Sequence, residues 1–208
     1  MSEYSLTMLL AMARAHPMTP DERRRALIEA TRPLLLEHGT SITTRQIAEC
    51  ADVAEGTIFR AFGTKQDLID AVVEDCLAPE PVVAALDAIP VELDLEDTVT
   101  WTIEVLQARI HQVRSLMAAL SEPQLHPKRT KPPHRDYHRQ VDAAVSRVLT
   151  RFDGRLAVGT PTACWAITAM SFAAVMALND NPDAAEPRQL ARMILHGIAV
   201  PTTLEASC

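Results

Sequence analysis

The residues whose types and spacing can do chemistry are concentrated in one stretch, VAEGTIFRAFGTKQDL, from Val53 to Leu68. Thr57, Arg60 and Lys65 offer a hydroxyl and two cations there, and Ile58, Phe59 and Phe62 stand between them. Donors held on a small apolar scaffold suit phosphate oxygens and base edges. Elsewhere the raw material for catalysis is thin. Glu104 and Asp97 are isolated, Ser115 and Ser121 have no evident partner, and no phosphate-binding loop occurs. His134 and His138 flank Asp136 at a spacing that can place two imidazoles on one helix face. Lys128, Arg129 and Lys131 beside them repel cations, so the pair reads as solvated surface, with neither metal nor cofactor expected.

Helices must position the donors. Thr19 or Pro20 precedes a helix opening at Asp21, with apolar residues from Ala26 to Leu36 forming a stripe. Pro33 should cost or kink one turn, and Gly39 ends the helix at a favoured C-terminal position. Ser41, Thr43 and Thr44 can cap the next helix, RQIAECA. Asp52 breaks it, Ala54–Phe62 forms another, and Gly63 and Thr64 break again before a long helix from Lys65 to about Leu77. Two short helices around a tight turn match a helix-turn-helix. Ile47, Ala48 and Ala51 would pack inward, Val53 would seal the turn, and Ile58 and Ala61 would anchor the second helix.

Past Pro79 the prolines at 79, 81 and 90 mark a looser segment ending in ELDLED. Helices are then expected from about Asp94 to Ala119, Tyr137 to Phe152, Thr162 to Leu178 and Gln189 to Ala199, with a Pro-rich connector, PQLHPKRTKPPHRD, after the first. Aromatics make up only 4% of the 208 residues and β-branched alternation is rare, so the fold class expected is all-α. No window holds eighteen uninterrupted apolar residues, and the apolar N-terminal run lacks a basic lead, so neither a membrane span nor a secretory signal is expected. Cys50, Cys76, Cys164 and Cys208 form no CxxC pair. A disulfide framework and a structural zinc site are unsupported, and a reduced cytoplasm is the expected location. Cys50 and Cys164 read as small core residues. The formal net charge of −7 is unevenly spread: basic and acidic residues balance at eight each up to Lys65, against twelve and nineteen beyond it. A neutral reading head must rely on geometry and a few placed donors.

Over roughly Arg25 to Val73, and most specifically in TTRQIAECADVAEGTIFRAFGTKQDLIDAV from Thr43 to Val72, the chain resembles the TetR family of bacterial transcriptional regulators. The resemblance implies an N-terminal three-helix DNA-binding domain followed by a helical effector-binding and dimerisation domain. The divisions expected are 1–19 as a flexible extension, 20–66 as the helix-turn-helix domain and 67–208 as the remainder. Thr44 would contact phosphate and Arg45 the backbone or a base edge. Glu55, Gly56, Thr57 and Arg60 would face outward on the recognition helix, and Lys65 would reach phosphate. Three positions depart from the pattern. Asp52 stands where the turn usually has Gly, a place where Asp tolerates a left-handed backbone. Phe59 replaces the usual Tyr and loses a hydroxyl, and Ala61 replaces a frequent His.

The implied partners are double-stranded DNA with a palindromic operator, a second copy of the chain, and a small hydrophobic effector, with no membrane. The last two helices would form the homodimer. Trp101, Leu106, Ile110, Met117, Leu120 and Trp165 are candidates for the effector lining, with Arg109, His111 or Arg114 as polar anchors. The function expected is a ligand-responsive repressor and not an enzyme. The rival from another class is a small helical enzyme with an apolar substrate cavity, against which stands the lack of any catalytic pair.

Overall fold

The computed structural model describes residues 18–120, 134–176 and 186–197. Residues 1–17 of the N-terminal extension, the Pro-rich connector before residue 134, the segments 177–185 and 198–208, and with them Cys208, lie outside the described residues. What is described is helical, with no strand among those residues, in agreement with the all-α expectation. None of the described helices is long and apolar enough to cross a membrane. The chain divides into two compact units, with the main boundary after Asp75.

The first unit opens with α1, Pro20–His38. Thr19 and Glu22 form a reciprocal capping box, Thr19 N–H donating to Glu22 at 2.7 Å and Glu22 N–H to the Thr19 hydroxyl at 3.2 Å. The helix runs on through Pro33, which stands inside it as expected. It ends at Gly39, whose φ of 58° a side chain would strain. A 3-10 turn, Gly39–Ser41, leads to α2, Thr44–Cys50, α3, Gly56–Phe62, and α4, Lys65–Cys76. Leu27, Leu35, Ile42, Ile47, Ile58 and Leu68 are each fully buried and make the small core of this unit. Cys50 is exposed, not a core residue, because it ends a helix too short to bury its last turn.

The second unit holds α5, Glu80–Asp87, α6, Leu95–Leu120, α7, His134–Thr150, α8, Thr160–Met176, and α9, Pro187–His196. Helix α5 corrects the reading of a loose segment after Pro79. Pro81 stands in its first turn, where a missing N–H costs nothing, and Val82 and Leu86 are buried one turn apart. The core joins Ile103 and Leu106 of α6 to Val145 and Leu149 of α7, Ile167 of α8 and Leu190 of α9. Ion pairs frame it: Arg147 grips Asp87 bidentately at 2.8 and 2.9 Å, and Arg188 meets Asp97 at 2.8 Å. Helix α8 is apolar all round. It buries Ala163, Cys164, Ile167 and Ala174 yet leaves Trp165, Phe172 and Met176 exposed. Burial pushes the Cys164 thiol above its ordinary pKa, so it has little thiolate character.

Candidate nucleic-acid interface

Helix α2 has seven residues, too few to persist alone, so its ends are secured. Thr43 and Gln46 form a capping box: the Gln46 N–H donates to the Thr43 hydroxyl at 3.2 Å, and the Gln46 side chain accepts from the Thr43 N–H at 2.8 Å. Ile47 and Ala48 are buried and seat α2 on α1. The turn to α3 passes through Asp52 at φ 50°, the left-handed backbone expected there, and closes with Val53 N–H donating to the Ala48 carbonyl at 3.0 Å.

Helix α3, also seven residues, buries Ile58 and Phe62. Gly63 stops it at φ 80°, its N–H donating to Phe59 at 2.9 Å. From α1, Arg24 clamps the same end: its guanidinium donates to the Ala61 carbonyl and lies 4.1 Å from the centre of the Phe62 ring. The next helix starts on a box of its own, the Thr64 N–H and hydroxyl both donating to Asp67 while the Asp67 N–H returns to Thr64. Three short helices are thus held at fixed angles by directional bonds.

The buried side of α3 fixes its outer side. Glu55, Gly56, Phe59 and Arg60 are exposed and Thr57 is half-buried. A Cβ on Gly56 would meet nothing within 4 Å, so this glycine serves no internal packing and leaves the helix surface open to close approach. Phe59, 49% exposed, is an apolar side chain that the core does not use. Arg60 has no hydrogen-bond or ion-pair partner among the described residues.

Other positions are engaged in ways the sequence alone does not show. The Thr44 hydroxyl donates to the Glu55 carboxylate. Arg45 donates from Nε to Glu49 at 2.9 Å, and that bond raises its pKa further, with Glu55 adding to the effect. Lys65 does not extend outward: its ammonium donates to the carbonyls of Thr40 at 3.1 Å and Ile42 at 2.8 Å, tying the start of α4 to the turn before α2. No local signal announces that tie, since its acceptors lie more than twenty residues away. Arg45, Glu49, Asp52, Val53, Ala54 and Glu55 line a groove of about 520 Å³ along α2 and the turn that follows it. Across α2 and α3, two cations, Arg45 and Arg60, face three carboxylates, Glu49, Asp52 and Glu55.

The proposed effector residues are not gathered by the structure. Trp101, Met117 and Trp165 lie on the surface, with Trp165 70% exposed. Leu106 is a core residue, and Ile110 and Leu120 are half-buried. Large apolar side chains do not by themselves say which face of a helix is covered. Of the anchors considered, His111 and Arg114 are not in the core, and Arg109 is buried. Arg109 donates to the Ala78 carbonyl at 2.7 Å while its Nε has no partner.

Residues 27–72 match the family model of bacterial regulatory proteins, tetR family. The chain is 43% identical over 56 residues to the HTH-type transcriptional regulator YvkB of Bacillus subtilis (strain 168), itself uncharacterized; the match spans 26% of this chain and 29% of that relative. Among solved structures, the TetR family transcriptional regulator PfmR from Thermus thermophilus shares the fold with a TM-score of 0.54 at 18% identity, over 84% of this chain and 99% of that one. A protein from Mesorhizobium loti MAFF303099 assigned to the same family gives a TM-score of 0.61 at 15% identity, covering 86% and 95%. The capped, crossed pair α2–α3 lies within the segment, residues 27–72, that matches the family model of bacterial regulatory proteins, tetR family, and the chain shares its helical fold with solved structures of that family.

Proposed function

We propose that the chain is a homodimeric repressor whose α2–α3 pair reads double-stranded DNA at a palindromic operator and lets go when a small hydrophobic effector binds the second unit. The observation that carries this reading is the division of α3 into two faces. Ile58 and Phe62 are spent on the core, and Gly56, Thr57, Phe59 and Arg60 stand along the other side. A helix so presented fits the major groove, where Arg60 can contact guanine or phosphate and Thr57 or Phe59 a thymine methyl. Residues 20–66 form the reading domain and 67–208 the responding domain, with 1–19 as an extension. Lys65, having given two N–H groups to carbonyls, has one left for a phosphate.

Dimerisation is supported by α8. Trp165, Phe172 and Met176 fall at i, i+7 and i+11, one stripe of exposed large apolar side chains on a helix already packed on its other side. A single reading head covers half a site, so a twin is required for a palindrome. Effector response is supported by the buried Arg109, whose unpartnered Nε leaves donor capacity for an incoming polar group at the edge of an aliphatic interior. Release follows only if the effector favours a second arrangement of the reading heads over the one that fits DNA.

The test is an electrophoretic shift with the DNA upstream of the chain's own gene. Arg60→Ala is expected to weaken the shift by about 5- to 150-fold, the cost of losing a good base contact, with Thr57→Ala weaker in effect. An unchanged shift in both variants rejects α3 as the reading surface.

A further inference from the structure

From Thr44 to Phe62, the stretch that forms α2, the turn and α3, three carboxylates stand against two cations, an odd property for a surface that meets phosphates. The details of the contacts suggest a use for it. Glu49 neutralises Arg45. Asp52 is the residue that turns the chain. Glu55 forms no ion pair and turns no backbone, contributing to Arg45 only a secondary, longer-range attraction. It directly precedes α3, yet its side chain makes no capping bond. Its carboxylate is held instead by the Thr44 hydroxyl from across the helix pair. One oxygen accepts that hydrogen bond and the other has no hydrogen-bond partner among the described residues, on an exposed residue bordering the groove of about 520 Å³.

A fixed, ionised carboxylate can only accept hydrogen bonds. In the major groove, guanine shows it two acceptors, N7 and O6, and thymine shows O4 and a methyl group. Adenine offers its N6 amino group, with the acceptor N7 beside it. Cytosine alone presents an amino donor, N4, with no acceptor on the same base. A phosphate repels the group outright. We infer that Glu55, oriented by Thr44, is a specificity-determining residue that accepts the N4 amino group of a cytosine in each operator half-site. The charge deficit of the face is then the counterpart of selectivity: wrong bases and non-specific DNA are both disfavoured by an acceptor they cannot satisfy. The inference rests on the reading of α3 as the DNA-facing helix.

The experiment selects duplexes from a randomised pool with the full chain, then compares affinities of the selected operator and its single-base variants at one fixed salt concentration. For the unmodified chain, one cytosine per half-site should be costly to replace by thymine, by about 5- to 150-fold, the range for loss of one good base contact. In Glu55→Ala that position should fall to near parity while every other position keeps its preference, and binding to unrelated DNA should tighten. In Glu55→Gln, which offers an amide N–H as well as an oxygen, the preference should move toward adenine. Thr44→Val should narrow the cytosine preference without abolishing it. A cytosine preference that survives in Glu55→Ala, or an operator with no such position, overturns the role of Glu55 and leaves the reading helix standing. A chain that prefers no sequence at all overturns both.

Discussion

In the first unit, helices of seven residues stay in place because side chains reach backbone groups, Lys65 to Thr40 and Ile42 and Arg24 to Ala61 on neighbouring elements, and Thr43 and Gln46 to each other at the start of α2. In the second unit the helices are longer, and α5 to α9 share one apolar core, with ion pairs such as Arg147–Asp87 and Arg188–Asp97 confined to exposed positions. The two solutions differ in what they hold constant. A hydrogen bond fixes direction and is lost when the partner rotates, whereas apolar contact follows area and survives repacking. A surface that must match base edges needs the first kind. The second kind tolerates a change of shape, because alternative packings of an aliphatic core lie close in energy.

The largest effect expected from that contrast is in the second core. Ile103 is wholly buried, and Ile103→Ala should cost about 2–5 kcal/mol through lost transfer free energy and the cavity left behind. Urea unfolding measures the loss, and amide exchange in α2 and α3 should change far less than in α6. Equal loosening of both regions would erase the contrast between the units.

Next comes Lys65→Met, which keeps the aliphatic stem and removes two charged hydrogen bonds. About 1.5–3 kcal/mol of stability should go with bonds of this type. The variant also sharpens the contrast, because the resemblance had assigned Lys65 to phosphate. If its main duty is to fix the start of α4, thermal stability falls and the salt dependence of DNA binding barely moves. A full-strength melt with a shallower salt slope would return Lys65 to the DNA surface.

How far these features could be foreseen depends on how local they are. The left-handed turn at Asp52 and the stops at Gly39 and Gly63 are properties of single residues, and they stand where sequence reading put them. Helix α6 follows its apolar spacing, within a residue or so of the expected ends. Helix α5 is hidden in the sequence because proline reads as a helix breaker, whereas Pro81 occupies a first-turn position that favours it. Trp101, Met117 and Trp165 escaped for another reason: hydrophobicity gives a preference for burial without saying which partner supplies it. The locks themselves, Arg24 on Ala61, Lys65 on Thr40 and Thr44 on Glu55, join residues 37, 25 and 11 positions apart, and only the folded chain brings them together.

The smallest effect concerns charge and tests the exposed side of the comparison. Glu96 accepts from Arg192 at 2.8 Å, with Arg188 at 3.7 Å and His196 at 3.9 Å, tying α6 to α9. The Arg192 hydrogen bond holds its carboxyl below the ordinary value of 4.5. A carboxylate depressed in the folded state contributes stability above its unfolded pKa and loses it as the pH falls through the folded value. In the first unit Glu22 behaves alike, lowered chiefly by its bond to the Thr19 backbone, so acid also loosens the start of α1. Melting temperature compared between the unmodified chain and Arg192→Gln should therefore differ slightly at neutral pH, and the difference should close in acid, as the pH falls below the ordinary carboxylate value of 4.5 and through the lowered one. Salt should shrink it as well, because every partner of Glu96 is solvent-exposed. A difference that persists undiminished in acid and in salt would mean that Arg192 acts through the packing of its aliphatic stem, and the rim of the second unit would then be held by the same means as its core.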